Sequence, residues 1–412
     1  MADLDLTYVR SCFPGLNDDT VLADNAGGSV PPRQVIDRVT HYMSHHMMQV
    51  GASYRRSQEA VAAINAGKQA AADLVNASVD EVVIGASSTM NVYVLSHAIA
   101  GFFQRGDEIV ISKIDHECNR GAWMRMADAH GLVIREWDFD PREPVLNEKG
   151  LDSVLSDRTK LVAFSQCANV VGAVHDAKGL CAKIRHAGAL SFVDGVAYAP
   201  HRRVDVKEIG CDFYVASLYK IFGPHQSVLY GRKELLERAR GQNHHFIPES
   251  DVPYKLQPGN VNHELTASLA GITEYIADVD RHHGGAQSDP IGTKIQRAFD
   301  LFGKHEERLS ETLLSFLRQH PKVRIVGPES SEEALRVPTI AFSVQGKKAS
   351  EIPPKLDEMG IGIRWGHFYA KRGIERMGLL EADGVVRVSL AHYNTVHEIE
   401  RVIAGLERAM ET

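Results

Sequence analysis

Cysteine is scarce in this chain and falls in no pairing pattern. The 412 residues hold 5 cysteines, at positions 12, 118, 167, 181 and 211. No C-x-x-C pair occurs, which argues against a disulfide framework or a zinc ribbon. Long apolar runs are also missing. None reaches the roughly 20 residues of a membrane span. The opening MADLDLTYVR is acidic and lacks the apolar centre of a secretion signal. Positive charge is not in excess: 46 Lys and Arg face 53 Asp and Glu, a formal net charge of −7. That balance is poor for gripping a nucleic-acid backbone, and no RRM, KH or zinc pattern appears. No internal repeat or low-complexity segment is evident. The expectation is a soluble cytoplasmic enzyme that engages neither nucleic acid nor membrane.

What is present is an alternation of strands and helices, in a chain whose apolar fraction of 44% can fill a sizeable core. EVVIG (81–85), DEIVIS (107–112), LVIREWDF (132–139), TKLVAFSQ (159–166), ALSFVDG (189–195), CDFYVAS (211–217) and SVLYG (227–231) read as strands. SSTMNVYVLSHAIAGF (87–102), RGAWMRMADAHG (120–131) and AKGLCAKIRHAG (177–188) read as helices. Apolar strands divided by helices predict an α/β fold with a mostly parallel sheet covered on both faces. Ligands of such sheets sit outside the carboxyl ends of the strands.

Those ends carry an unusual set. Ser88 and Thr89 open a helix after EVVIG, where hydroxyls and free N–H groups suit an anion as well as a cap. His116 follows DEIVIS, Asn169 follows LVAFSQ, and Asp194 ends ALSFV. Ser217 and Lys220 follow DFYVA, beside a break made by Gly223 and Pro224. A phosphate cradle, a planar imidazole, an amide, a buried acid and a lysine suit pyridoxal 5'-phosphate. The lysine forms a Schiff base with its aldehyde, and the acid keeps its ring nitrogen protonated. HYMSHHMMQ (41–49) holds His41, His45 and His46 without an acidic or cysteine partner, so no metal site is expected.

In this order the residues resemble the class V aminotransferases, fold-type I enzymes, close to the cysteine desulfurases and selenocysteine lyases. The likeness runs from LADNAGG (22–28) to VVRVSLAHYNT (385–395). The pieces that carry it are Asp24-Asn25-Ala26-Gly27, Asp115-His116-Glu117-Cys118-Asn119, Ala168-Asn169-Val170-Val171-Gly172, the run from Asp194 to His201, and Ser217-Leu218-Tyr219-Lys220. The resemblance implies that Lys220 is the Schiff-base lysine, His116 stacks on the cofactor ring, and Asp194 meets the ring nitrogen. It implies cofactor contacts from Ser88, Thr89, Asn169, Ser217 and Tyr219, and Arg387 for the substrate carboxylate. It puts Asn25, Arg364, His367 and Tyr369 on the substrate side. It further implies a homodimer with a shared active site, in which Asn260 stands where the partner lends a phosphate-binding threonine.

Departures from the pattern bear on chemistry. Tyr219 replaces a histidine before the lysine, and Ala197 replaces a glutamine three residues after the aspartate. The loop GIGIRWGHFYA (360–370) resembles R-x-G-H-H-C-A, but Phe368 replaces the second histidine and Tyr369 the cysteine. Cys118 and Cys167, near the cofactor segments, read as small buried residues. The expected reaction is β-elimination from a small, cysteine-like amino acid without a loop persulfide. Aminotransferase and epimerase activities are the alternatives, and a catalytically silent scaffold a further one. The domain reading is an N-terminal segment (1–20) packing with the small domain, a large cofactor-binding domain (21–289), and a smaller α+β domain (290–412). In the last, EERLSETLLSFLRQHP is a helix, and VRIVG, TIAFSV and VVRVSLA are strands. DRHHGGAQSD (280–289) reads as a polar loop before it.

Overall fold

A computed structural model of the chain describes residues 3–411. Two short strands and eleven longer ones follow the apolar runs. They are β1 (Val21–Leu22), β2 (Val82–Gly85), β3 (Glu108–Ser112), β4 (Val133–Trp137), β5 (Thr159–Ser165), β6 (Leu190–Asp194), β7 (Phe213–Ser217) and β8 (Ser227–Gly231), then β9 (Val323–Val326), β10 (Thr339–Val344), β11 (Ile361–Gly362), β12 (Arg364–Gly366) and β13 (Val385–Ser389).

Seven of them form the large sheet, in the order β2-β8-β7-β6-β5-β3-β4. Pairing is parallel from β7 through β4, and only β8 runs against its neighbours. The carboxyl ends of β2, β3, β5, β6 and β7 therefore share one rim. Side chains alternate between two apolar layers. Ile109, Ile111, Leu161, Ala163, Phe192 and Phe213 enter one. Val110, Val162, Phe164, Val193 and Tyr214 enter the other. Because both faces are covered, the inner strands read as mostly apolar runs, whereas the edge strand β4 carries Arg135 and Glu136. Gly195, just past β6, has no room for a side chain, since a Cβ there would lie 1.8 Å from the Tyr214 hydroxyl.

The small sheet is antiparallel, in the order β12-β13-β10-β9. It packs on Leu309, Leu313 and Leu317 of the helix Ile291–Gln319 and on Ile399, Val402 and Leu406 of the helix Val396–Glu411. β1 pairs with β11, and Val21 and Ala23 join the same core. The chain thus threads the small layer before it enters the large one. The helix Ile291–Gln319 starts well before the stretch expected from sequence, because Ile295, Ala298, Phe299 and Phe302 continue its buried face. The expected loop at 280–289 is also partly helical. Asp280 to His282 belong to the helix Ala270–His282, and the buried Asp280 carboxylate pairs with Arg297 at 2.6 and 2.8 Å. His41 and His45 stack with ring centroids 4.6 Å apart, and no metal-binding cluster occurs among the described residues.

Two buried histidines give stability a pH dependence. His392 is fully enclosed, stacked 3.8 Å from Phe302 and bonded to the Tyr275 hydroxyl at 2.6 Å. Burial holds its pKa well below 6.5, and pushes that of His175 down to about 4. Both are neutral in the fold, so on acidification the unfolded chain takes up protons first. Their contribution is complete above the unfolded value and declines as pH falls through about 6.5. The melting temperature is expected to drop steadily between about pH 7 and pH 5. A flat profile over that range would contradict this.

Candidate active site

The rim gathers eight of the candidate residues around one cavity: Ser88, Thr89, His116, Asn169, Asp194, Ser217, Tyr219 and Lys220. Cys118, Cys167 and Ala197 line it as well.

Lys220 ends a short 3-10 turn, Leu218–Lys220, that leaves β7. The turn is clasped from the N-terminal region. Ser29 Oγ contacts the carbonyls of Tyr219 and Lys220 at 3.2 and 3.1 Å and accepts the Phe222 N–H at 2.9 Å. Burial, with the positive charge of Arg387, lowers the Lys220 pKa to about 8, while Asp194 opposes that shift. Near neutral pH the amine is still mostly protonated, but roughly a tenth is free base, far more than for an ordinary lysine.

Asp194 closes β6 and is almost fully buried. Its Oδ1 accepts the Val196 N–H at 2.9 Å, and its Oδ2 faces the Cys118 thiol at 3.5 Å. Burial raises its pKa, and the Val196 bond, Cys118 and Lys220 pull it back. A second buried acid lies nearby. Asp115 accepts from Ser165 Oγ at 2.6 Å, Ser165 N–H at 3.2 Å and Asn119 Nδ2 at 2.8 Å, and burial raises it to about 6. It ties the exits of β3 and β5 together beside His116. The sequence pattern points to His116 rather than to Asp115, although Asp115 opens the same motif. His116 Nδ1 accepts the Cys118 N–H at 3.0 Å, so the neutral ring carries its proton on Nε2. Burial, then Lys220 and Arg387, lower its pKa to about 4.

Ser87 caps the helix Ser88–Ile99 by accepting the Met90 N–H, and the helix start opens onto the cavity. Ser88 Oγ lies 2.7 Å from Ser217 Oγ and 2.9 Å from Ser227 Oγ. Thr89 is exposed at the mouth. Tyr219 stacks on His225, with centroids 4.9 Å apart.

Arg387 stands on β13, buried and heavily engaged. Its Nη2 donates to Asp24 Oδ1 at 3.0 Å and its Nη1 to the Asn169 carbonyl at 3.1 Å. The Phe368 ring covers the guanidinium, 3.7 Å from its carbon, and Nε has no partner. Arg364, its register partner on β12, is exposed and lies 3.7 Å from the other Asp24 oxygen. The loop holding Phe368 is bound to the large domain. Asn169 Nδ2 donates to the Phe368 carbonyl at 2.9 Å, and the Glu117 N–H to that of Tyr369 at 2.9 Å. Phe368 and Tyr369 have φ of 47° and 59°. Each costs about 1–2 kcal/mol in that left-handed region, so the loop holds strain.

Asn25, Asn260, His367 and Tyr369 do not line this cavity. Asn25 spends its amide inside the fold: Nδ2 donates to the carbonyls of Leu22 and Ser389 and to Asn394 Oδ1, and Oδ1 accepts from Tyr393. It joins β1 to β13 and has no amide group left for a substrate. Asn260 is exposed and outside its own chain's cavity, with Oδ1 accepting the Val261 N–H. His367 is exposed and accepts the Tyr369 N–H at 3.1 Å. Tyr369 is 67% exposed, so it lies at the rim of the cavity, with its ring 5.2 Å from that of His116.

The family model described as aminotransferase class-V matches residues 21–282 and 295–402. The chain belongs to the class V aminotransferase family. It is 37% identical to an aminotransferase-like protein of Gibberella zeae, over 98% of both chains. It is 31% identical to a cysteine desulfurase-like protein of Aspergillus flavus, over 98% of this chain and 90% of that one. It is 30% identical to a cysteine desulfurase of Serratia proteamaculans, over 97% of both. In fold it is similar to the cysteine desulfurase from Thermococcus onnurineus, with a TM-score of 0.88 at 22% identity, covering 100% of this chain and 99% of that one.

The protein is thus a pyridoxal phosphate-dependent, cysteine desulfurase-like enzyme of this family. Its own residues fit the cofactor: the cavity combines an amine, a buried acid, a neutral imidazole and a hydroxyl-rich helix start, and the buried Asn169 Oδ1 lacks a protein partner. No helix among the described residues is long and apolar enough to cross a membrane.

Proposed function

We propose that this enzyme is a C–S lyase that eliminates the β-substituent of a small, cysteine-like amino acid without a loop persulfide. The observation that carries the reading is the loop. Tyr369 stands where the resembled desulfurases have a nucleophilic cysteine, and Phe368 beside it packs on Arg387. A phenol has no thiol sulfur with which to form a persulfide. Burial pushes the thiol of Cys118 up and that of Cys167 to about 12, which disfavours both as nucleophiles.

The bound cofactor supplies an electron sink conjugated to the substrate Cα. Ser88, Ser217, Tyr219 and the helix start hold its phosphate. His116 would lie against the ring, Asp194 would keep the ring nitrogen protonated, and Asn169 would add an amide contact. Arg387 binds the substrate α-carboxylate. Lys220 Nζ takes the Cα proton. The Cβ–S bond breaks with its electron pair leaving on sulfur, and water converts the remaining carbons to pyruvate and ammonia. The active unit is a homodimer, in which Asn260 reaches the partner's phosphate site; its exposure away from its own cavity supports this.

Turnover of cysteine, cystine, selenocysteine, cysteine sulfinate and thioether amino acids, followed by intact-protein mass spectrometry without reductant, tests the proposal. Unmodified protein is expected, with pyruvate, ammonia and the β-substituent released according to substrate, as sulfide, thiol, persulfide, selenide or a sulfur oxyanion. A sulfur adduct formed on any cysteine as fast as product would overturn it, and Cys118 would be examined first. The name of the Gibberella zeae relative favours a second reading, an aminotransferase. Amino transfer to a 2-oxo acid, with no sulfur released from any substrate, would decide for that reading.

A further inference from the structure

We propose that Phe368 is the gate on Arg387, a specificity-determining side chain that admits the substrate α-carboxylate only when its loop lifts. The inference rests on the reading of Arg387 as the carboxylate site. Three observations converge. The Phe368 ring covers the guanidinium face at 3.7 Å. Arg387 Nε is buried and has no acceptor, so a donor suited to a carboxylate is present but sealed. The loop is pinned by two backbone carbonyls, bonded to Asn169 Nδ2 and the Glu117 N–H, on either side of the cavity.

Opening would release those two bonds together with two residues of positive φ. A carboxylate could then take the Nε and Nη2 edge of Arg387. Asp24, which occupies Nη2 at 3.0 Å, has Arg364 at 3.7 Å to receive it. Arg387, Arg364 and Asp24 form a cluster of two positive charges and one negative, so an incoming anion balances its charge. Reclosure would lay the ring over the bound ion pair and keep water out.

The loop carries its own reporter. Trp123 and Trp137 are fully buried, whereas Trp365 in β12 is 40% exposed. Propanoate is the probe, because it offers a carboxylate but no amine to react with the cofactor. Holoenzyme is mixed with propanoate in a stopped-flow fluorimeter, and Trp365→Phe identifies the signal from that residue. The wild-type observed rate is expected to level off with propanoate concentration, as opening becomes limiting. Phe368→Ala should bind at least about tenfold faster with a linear dependence, because the cation–π cover is lost. Phe368→Tyr should behave as wild type. A linear wild-type dependence, or equal rates in wild type and Phe368→Ala, overturns the gate, and the wild-type result stands even if the alanine variant fails to fold. Propanoate that does not bind, or binds equally well to Arg387→Ala, overturns the carboxylate reading and the gate with it.

Discussion

Lys220→Ala is expected to lower turnover of every amino acid substrate by about 10³-fold, within the range that one positioned acid–base group contributes. The reasoning starts from the site. The Lys220 amine lies in the cavity with Asp194 and His116, near enough to Arg387 to feel its charge, and burial holds its pKa at about 8. No other lysine lines the cavity. Borohydride reduction of the wild-type holoenzyme, followed by peptide mapping, should place the cofactor on Lys220. A label on a different lysine, or an alanine variant with wild-type turnover, would refute the assignment.

Asp194→Asn is expected to retain part of the cofactor but to slow Cα-proton exchange by about 10²-fold or more, as for the loss of one preorganised charge in a water-excluded site. The fold positions the carboxylate without help from the cofactor, through the Val196 N–H and the end of β6. An asparagine can keep that place. It cannot supply the negative charge that holds a proton on the ring nitrogen. Exchange followed by NMR in heavy water separates the two cases, because binding and chemistry then respond differently. Exchange at the wild-type rate would rule out the role.

The large sheet was legible in the sequence because both of its faces are covered. Apart from the edge strand β4, which carries Arg135 and Glu136, each strand is a short, mostly apolar run, and chemical groups follow directly after the ends of β2, β3, β5, β6 and β7. The small domain was less legible. The helix Ile291–Gln319 was read only from Glu306, although Phe299 and Phe302 continue its buried face. Asp280 looked like a loop residue because its partner, Arg297, lies on a different helix. In the site, residue type told which groups have suitable chemistry, but not where their hydrogen bonds go. Asn25 has the right type, yet tertiary contacts with residues 389, 393 and 394 consume its amide. The assembly of Asp24, Asn169, Phe368 and Arg387 draws on four distant segments, and no local periodicity encodes it. Cys118 was read correctly as small and buried, but its approach to Asp194 follows from strand order.

The Ser29 clasp has a consequence for biosynthesis and proteolysis. Its hydroxyl grips a turn 190 residues further along the chain. All seven strands of the large sheet lie downstream of residue 30, so a chain nicked or initiated there would keep that sheet and the groups on its rim. It would lose the fastening that aims Lys220 into the cavity. The reactive amine is thus fastened only where segments 190 residues apart have met, so a cut that frees the Ser29 segment would loosen the amine and leave the large sheet in place.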